Sequence, residues 1–248
     1  MKKLLLLVLF IYTFSLGALA YDNIPVLMYH NTDYVFSDEQ ALSSITPSNF
    51  ESHLEAFKKH GYNSVTVKDY IKYTQGKFTL PENPFIITFD DGYESNYTYA
   101  MPLLRKYGYT AALFAVTGSV GISDVAFPHF NWQQAREMIE SGCFEIYSHT
   151  NSHTDLSTLT PSQLIFEFRR SKNLIESKLG VTCDAFAAPF GRFSPEAVAC
   201  ASATGYKLMM RVGEVCGDIS ADGIISLKRH TVTGDMSALD VITIMENE

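Results

Sequence analysis

This sequence has no run or stripe of basic residues, and its 19 Lys and Arg face 27 Asp and Glu, for a net charge of −8. A surface of that sign offers little to the phosphates of nucleic acid or to another anionic polymer. Its 4 cysteines include no CxxC pair, which removes zinc-finger and thioredoxin-type chemistry. There is no internal repeat, low-complexity tract or long Pro/Gly/Ser linker, so nothing marks a solenoid or a string of domains. Beyond the N-terminus, no apolar run approaches the roughly 20 residues a spanning helix needs.

The one apolar run, Leu4 to Leu16, follows Lys2 and Lys3 and precedes Ala18-Leu19-Ala20. A positive start, a short apolar stretch and a small-residue cleavage site read as an export signal over residues 1–20, with the mature chain starting at Tyr21. The stretch is short for a spanning helix, so the expectation is cleavage, no stable membrane anchor, and a protein outside the cytoplasm. Without the two signal lysines, 17 basic residues face 27 acidic ones, a net charge near −10. That balance is also the ordinary composition of a soluble exported protein. In an oxidising compartment Cys143, Cys183, Cys200 and Cys216 could form one or two disulfides, although Cys143 sits in an apolar run that suits a buried thiol.

Residues 21–248 form a single expected domain in which short apolar runs alternate with amphipathic stretches. Strands are expected at 25–29, 64–67, 85–89, 110–116, 143–147, 185–188, 206–212 and 224–227. Helices are expected after Thr46-Pro47, over 96–107 and 132–140, after Thr160-Pro161 as far as Gly180, and from Ser194. The Thr-Pro pairs are cap-and-first-turn signals, and Gly61, Gly108, Gly142 and Gly180 are stops. About eight βα alternations point to an α/β fold, most simply a distorted (β/α)7-8 barrel. In a barrel, chemistry gathers where strands end.

Two features sit at such ends. Phe85-Ile86-Ile87-Thr88-Phe89 runs into Asp90-Asp91-Gly92, and a later strand runs into Ser148-His149-Thr150-Asn151-Ser152-His153. A turn of helix would bring His149 and His153, four apart, onto one face. Asp91 would complete a two-histidine, one-carboxylate set with open positions. Such a set also serves non-haem iron oxygenases, but those favour all-β folds. Asp90 and Asp91 cannot point the same way along a regular strand; where the chain turns, one can hold a metal while the other reaches the attacking water. The plainer reading of Asp-Asp-Gly is a β-turn, and turn and catalysis are compatible. The other histidines, His53, His60 and His129, read as structural residues on helix surfaces or in loops. Tyr93, Tyr97, Phe130 and Trp132 could stack on sugar rings, or simply pack.

Thr88-Phe89-Asp90-Asp91-Gly92 followed by Ser148-His149-Thr150-Asn151-Ser152-His153 resembles the polysaccharide deacetylases, carbohydrate esterase family 4, with the NodB homology domain. The likeness runs from Ile24 to about Asp240 and includes Pro25-Val26-Leu27-Met28-Tyr29-His30, Phe50 with the helix around it, Asn131-Trp132 and Ala188-Pro189-Phe190-Gly191. These details are most similar to the exported branch that deacetylates poly-N-acetylglucosamine. The resemblance implies a divalent metal, zinc first, with cobalt, nickel or iron as alternatives. It also implies hydrolysis of the acetamide on an N-acetylglucosamine-containing polysaccharide. Peptidoglycan, chitin and xylan deacetylases, and a sugar-binding relative without turnover, are the competing readings. By position it makes Asp90 the general base, Asp91, His149 and His153 the metal ligands, and Pro189-Phe190 the oxyanion and substrate segment.

Two departures stand out. Family members often carry an arginine before the Pro-aromatic pair to orient the catalytic Asp, and Phe186-Ala187-Ala188 has none. The late Leu-x-His motif, which supplies the acid in other branches, is offset by one in Leu227-Lys228-Arg229-His230. His30, ending the first strand beside the last in a closed barrel, is therefore assigned as the acid in preference to His230.

Overall fold

The computed structural model describes residues 24–34, 41–212 and 223–247. The expected export segment and Cys216 lie outside the described residues. Seven parallel strands close into a ring: β1 (Val26–Tyr29), β5 (Pro84–Phe89), β6 (Ala111–Ala115), β7 (Phe144–Ser148), β8 (Ala185–Ala187), β9 (Leu208–Val212) and β10 (Ile225–Thr231). They neighbour one another in that order, and β1 pairs with both β5 and β10, which closes the ring. The barrel is distorted because β7 meets β8 through one register pair, Ser148↔Phe186. A two-residue pair, β2 (Asn31–Thr32) with β3 (Ser44–Ile45), lies outside the ring.

Helices α1 (Pro47–Lys59), α3 (Met101–Tyr107), α4 (Trp132–Glu140), α5 (Pro161–Leu179), α6 (Pro195–Ala203) and α7 (Ala238–Glu246) surround the strands. Thr46 caps α1 through Asn49 N–H, and Gly108 and Gly180 end α3 and α5 in the left-handed conformation, as their sequence signals require. The stretch expected as one helix from Asn96 begins as a π-type turn, Asn96–Ala100. An eighth strand was expected at 64–67; it is instead the two-residue β4 (Asn63–Ser64) followed by α2 (Val67–Thr74). Thr66 takes Asp69 N–H and starts that helix. Helix α2 lies at the N-terminal end of the barrel, where Val67 N–H donates to Glu145 at 2.8 Å. Burial pushes the Glu145 carboxyl up to about 7. A cavity of about 570 Å³ opens there, lined by Lys68, Glu145, Tyr147, Asp184 and Lys207 among others.

Alternation along the strands decides which side chains enter the barrel. Tyr29 and Phe89 face outward onto Phe50 of α1, with ring centroids 5.1 and 5.6 Å away. Each such fully buried ring contributes about 1.5–3 kcal/mol of burial free energy. Ser148 faces outward too, donating to Ser171 of α5 at 2.8 Å. The residues that follow these three, His30, Asp90 and His149, are therefore delivered to the barrel mouth. His53, expected on a helix surface, is fully buried. The Tyr29 hydroxyl donates to its Nδ1 and Nε2 meets Met236 O, both at 3.0 Å. Burial lowers its pKa, so it serves as a neutral tie between α1 and the segment before α7. Cys143, Cys183 and Cys200 are free thiols, so no disulfide links the described cysteines.

Candidate active site

The β1–β5 register pairs Tyr29 with Phe89, and Asp90 N–H donates to Tyr29 O at 3.0 Å. His30 and Asp90 thus leave neighbouring strands side by side. On the next strands Ala115 pairs with Ser148, and His149 N–H donates to Ala115 O at 2.8 Å. The four strand ends Tyr29, Phe89, Ala115 and Ser148 bring His30, Asp90, Asp91 and His149 together.

Asp91 turns the chain at φ 71° and so separates its side chain from that of Asp90. Asp91, His149 and His153 place one ligand atom each within 4.8 Å of one another. Asp91 Oδ1 lies 3.6 Å from His149 Nε2 and 3.3 Å from His153 Nε2. Ligands about 2.1 Å from a tetrahedral zinc stand about 3.4 Å apart, so these three fit a zinc-sized divalent ion. His149 Nδ1 meets Ala187 O at 3.0 Å, which commits its proton there and leaves the Nε2 lone pair facing the site. Tyr93 donates its hydroxyl to Asp91 Oδ2 at 2.9 Å, leaving Oδ1 for the ion. Burial, reinforced by the Asp91 charge, raises the Tyr93 pKa and keeps that donor protonated. Burial lowers His153, which favours the neutral, ligating imidazole.

The histidines do not meet on a helix turn, as their spacing of four was expected to allow. Residues 149–155 are bends and coil, with Thr150 at φ 65° and His153 at φ 54°. Of the five non-glycine residues at positive φ among the described residues, Asp91, Thr150, His153 and Phe190 belong to this site, and Asn83 is the fifth. Such conformations persist where surrounding contacts impose them.

Asp90 is held by a residue the sequence reading missed. Arg229 of β10 donates from Nη1 and Nη2 to its two oxygens, at 2.6 and 2.7 Å, with each residue 2 % exposed. Its guanidinium also lies over Phe114, 5.5 Å from the ring centre. Burial alone would raise the Asp90 carboxyl, but the Arg229 charge and hydrogen bonds hold it well below the usual carboxylate range. The arginine absent before Pro189 is thus supplied from another strand. Arg229 stands two residues after Leu227, the place of the histidine in the Leu-x-His motif. Alternation puts His230 on the opposite side of β10, away from the mouth. The available signal was alternation, which puts Arg229 on the same face of β10 as Leu227 and puts Lys228 and His230 on the other.

Pro189–Gly191 forms a single tight turn after β8, with Phe190 at φ 58°. The Phe190 ring is 62 % exposed and meets His153 edge-on at 4.6 Å, so it walls one side of the ligand set. Tyr93 and His129 pack at 5.3 Å on another side. Phe130, a stacking candidate by sequence, is fully buried.

Comparison with known proteins decides the family. The polysaccharide deacetylase family model matches residues 77–209. A Bacillus subtilis protein named as a polysaccharide deacetylase, YxkH, is 35 % identical over 216 residues, 86 % of this chain and 73 % of that protein. This chain belongs to the polysaccharide deacetylase family. The deacetylase is also 32 % identical over 140 residues to the poly-β-1,6-N-acetyl-D-glucosamine N-deacetylase of Staphylococcus aureus, covering 55 % of this chain and 48 % of that one. It therefore spans about half the length of that relative. Among solved structures, the Streptococcus pyogenes deacetylase PplD in complex with acetate superposes with a TM-score of 0.80 at 26 % identity, covering 90 % of this chain and 97 % of that one. The deacetylase is a hydrolase of the barrel class expected from its βα alternation.

Proposed function

We propose that this deacetylase is metal-dependent and removes the acetyl group from N-acetylglucosamine units of a polysaccharide, poly-β-1,6-linked first, releasing acetate. The observation that carries the reading is the Asp91–His149–His153 donor set beside an ionised Asp90. A purely sugar-binding protein has no need of a buried, arginine-held carboxylate next to such a set. The substrate assignment draws support from the activity for which the Staphylococcus aureus relative is named.

A divalent ion, zinc by the donor set and otherwise cobalt, nickel or iron, supplies Lewis acidity when bound. The remaining chemistry belongs to the protein. Asp90 takes a proton from the water that attacks the acetyl carbon. Backbone N–H at Phe190 faces the carbonyl oxygen as charge gathers there, and the Phe190 ring lies against the sugar. His30 gives a proton to the amide nitrogen as its bond to the acetyl carbon breaks, so amine and acetate leave. His30 leaves β1 beside Asp90, and Asn96 Nδ2 donates to its carbonyl at 3.0 Å, fixing the strand end.

Acetate release from β-1,6-linked N-acetylglucosamine oligomers should be readily measured and should stop with a strong chelator. Release from chitin, peptidoglycan or acetylated xylan in preference would transfer the substrate assignment, and chelator-insensitive turnover would refute metal dependence. The acid assignment has its own test. His30→Ala should keep its metal and lose roughly 10²-fold or more in kcat, the scale of general-acid removal, whereas His230→Ala should stay near wild type. The reverse ordering would remove His30 from the mechanism.

A further inference from the structure

The loop that carries His153 is clamped from two sides. On one side, Thr117 and Gly118, just beyond β6, donate backbone N–H to Thr150 O at 3.2 Å and Asn151 O at 2.8 Å. Only glycine fits there, because a Cβ on Gly118 would lie 2.5 Å from Asn151 O. On the other side stands Glu167 of α5, 6 % exposed. Its Oε2 accepts Asn151 N–H at 2.8 Å and Ser152 N–H at 2.9 Å, and its Oε1 accepts the Ser152 hydroxyl at 2.8 Å. One turn further along the same helix face, Ser171 accepts from Ser148, whose hydroxyl in turn takes Thr150 N–H at 3.1 Å. Thr150 then accepts His153 N–H at 3.1 Å.

This arrangement places a buried carboxylate where the carbonyls of a continuing helix or of a regular turn would otherwise satisfy the amides. Residues 150–153 follow neither pattern, since Thr150 and His153 take positive φ. Without that acceptor, the part-buried N–H groups of Asn151 and Ser152 would lose their partner. The loop would relax to recover them, and His153 would move with it. His153 is the most exposed of the three ligands, its side chain 32 % accessible against 2 % for His149 and 15 % for Asp91, so packing restrains it least. His149, by contrast, follows directly from β7 and is tied through Ala187 O.

We propose that Glu167 is a positioning residue that sets divalent-metal affinity by fixing His153 against Asp91 and His149. It touches neither ion nor substrate. The inference rests on the metal-centre reading above. It goes beyond the ligand set by assigning the geometry of that set to a helix residue 14 positions downstream of His153.

The test is the zinc affinity of metal-stripped protein, measured by competition with a chromophoric chelator, together with the visible absorption of the cobalt-loaded form. Glu167→Ala should bind zinc 10–100-fold more weakly, the usual scale for loss of an outer-shell partner, and its cobalt bands should change in intensity. Glu167→Gln should stay within about threefold of wild type: its carboxamide oxygen can accept both N–H groups and its NH2 can donate to Ser152. That rescue separates hydrogen bonding from charge. Should Glu167→Ala fail to fold, Glu167→Asp, one methylene shorter, is expected to show an intermediate loss. Wild-type affinity in Glu167→Ala or Glu167→Asp would overturn the proposal, as would a Glu167→Gln as weak as Glu167→Ala. An equal fall in Tm of the metal-free and metal-loaded forms with unchanged affinity would reduce Glu167 to a scaffold residue, and would likewise overturn it. A wild-type protein that binds no divalent ion sinks the metal-centre reading itself, an outcome distinct from all of these.

Discussion

Asp90→Asn should keep its metal and its substrate affinity and lose roughly 10²-fold or more in turnover. The substitution removes the proton acceptor while leaving Asp91, His149 and His153 in place. It should also destabilise the protein, because Arg229 would then be buried against a neutral amide. Removing one partner of a buried ion pair costs about 3–5 kcal/mol, readable as a fall in Tm at pH 7. Arg229→Met makes the complementary case. Without the guanidinium, burial would dominate at Asp90 and raise its carboxyl pKa. The base must be ionised to accept a proton, so the acid limb of the kcat/KM profile should move to higher pH in Arg229→Met. An unmoved acid limb would deny Arg229 its hold on the base. Equal metal loss in Asp90→Asn and Asp91→Asn would show that the two aspartates have been given each other's roles.

The second large effect concerns the ligand set. Alanine at Asp91, His149 or His153 should each abolish stoichiometric metal content after purification and remove activity with it, a larger loss than the 10–100-fold expected for an outer-shell residue. The three should differ in stability. His149 is 2 % exposed and bonded to Ala187 O, so His149→Ala leaves a cavity and an orphaned carbonyl. His153, partly exposed at the mouth, should be removable with little change in the Tm of the metal-free protein. Full metal content in His153→Ala, by elemental analysis, would exclude this ligand set.

Much of this site was legible because strand ends carry a strong local signal. The run Phe85 to Phe89 before Asp90-Asp91-Gly92, and the apolar strand before Ser148-His149, announce both the element and the point where it stops. Ring closure by seven or eight strands was legible in the βα alternation, while the extent of the strand at 64–67 was not. Residues 64–67 are apolar enough for a strand, yet Thr66 caps a helix that α2 carries over the barrel end. Arg229 and Glu167 were hidden for a different reason. Each acts on a segment distant in sequence, at separations of 139 residues for Arg229 with Asp90 and 16 for Glu167 with Asn151. A single chain read in order shows neither the neighbour across a closed ring nor the loop above a helix. His53 was misplaced because its helix face is buried by the segment around Met236, which no local periodicity reveals. The bent course of residues 149–153 was hidden as well, since a spacing of four fits a helix turn as readily as a clamped loop.

The pairing of Arg229 with Asp90 has a consequence for how the protein comes into being. Synthesis runs from the N-terminus, so Asp91, His149 and His153 are all present in the growing chain well before β10. The ring cannot close until that last strand docks between β1 and β9. Until then Asp90 keeps its water, and when the strand arrives it removes that water and delivers the guanidinium in the same event. The unfavourable and favourable halves of burying a charge are therefore never separated in time. A nascent chain cut short of β10 would hold every ligand for an ion and still lack a closed barrel around its base.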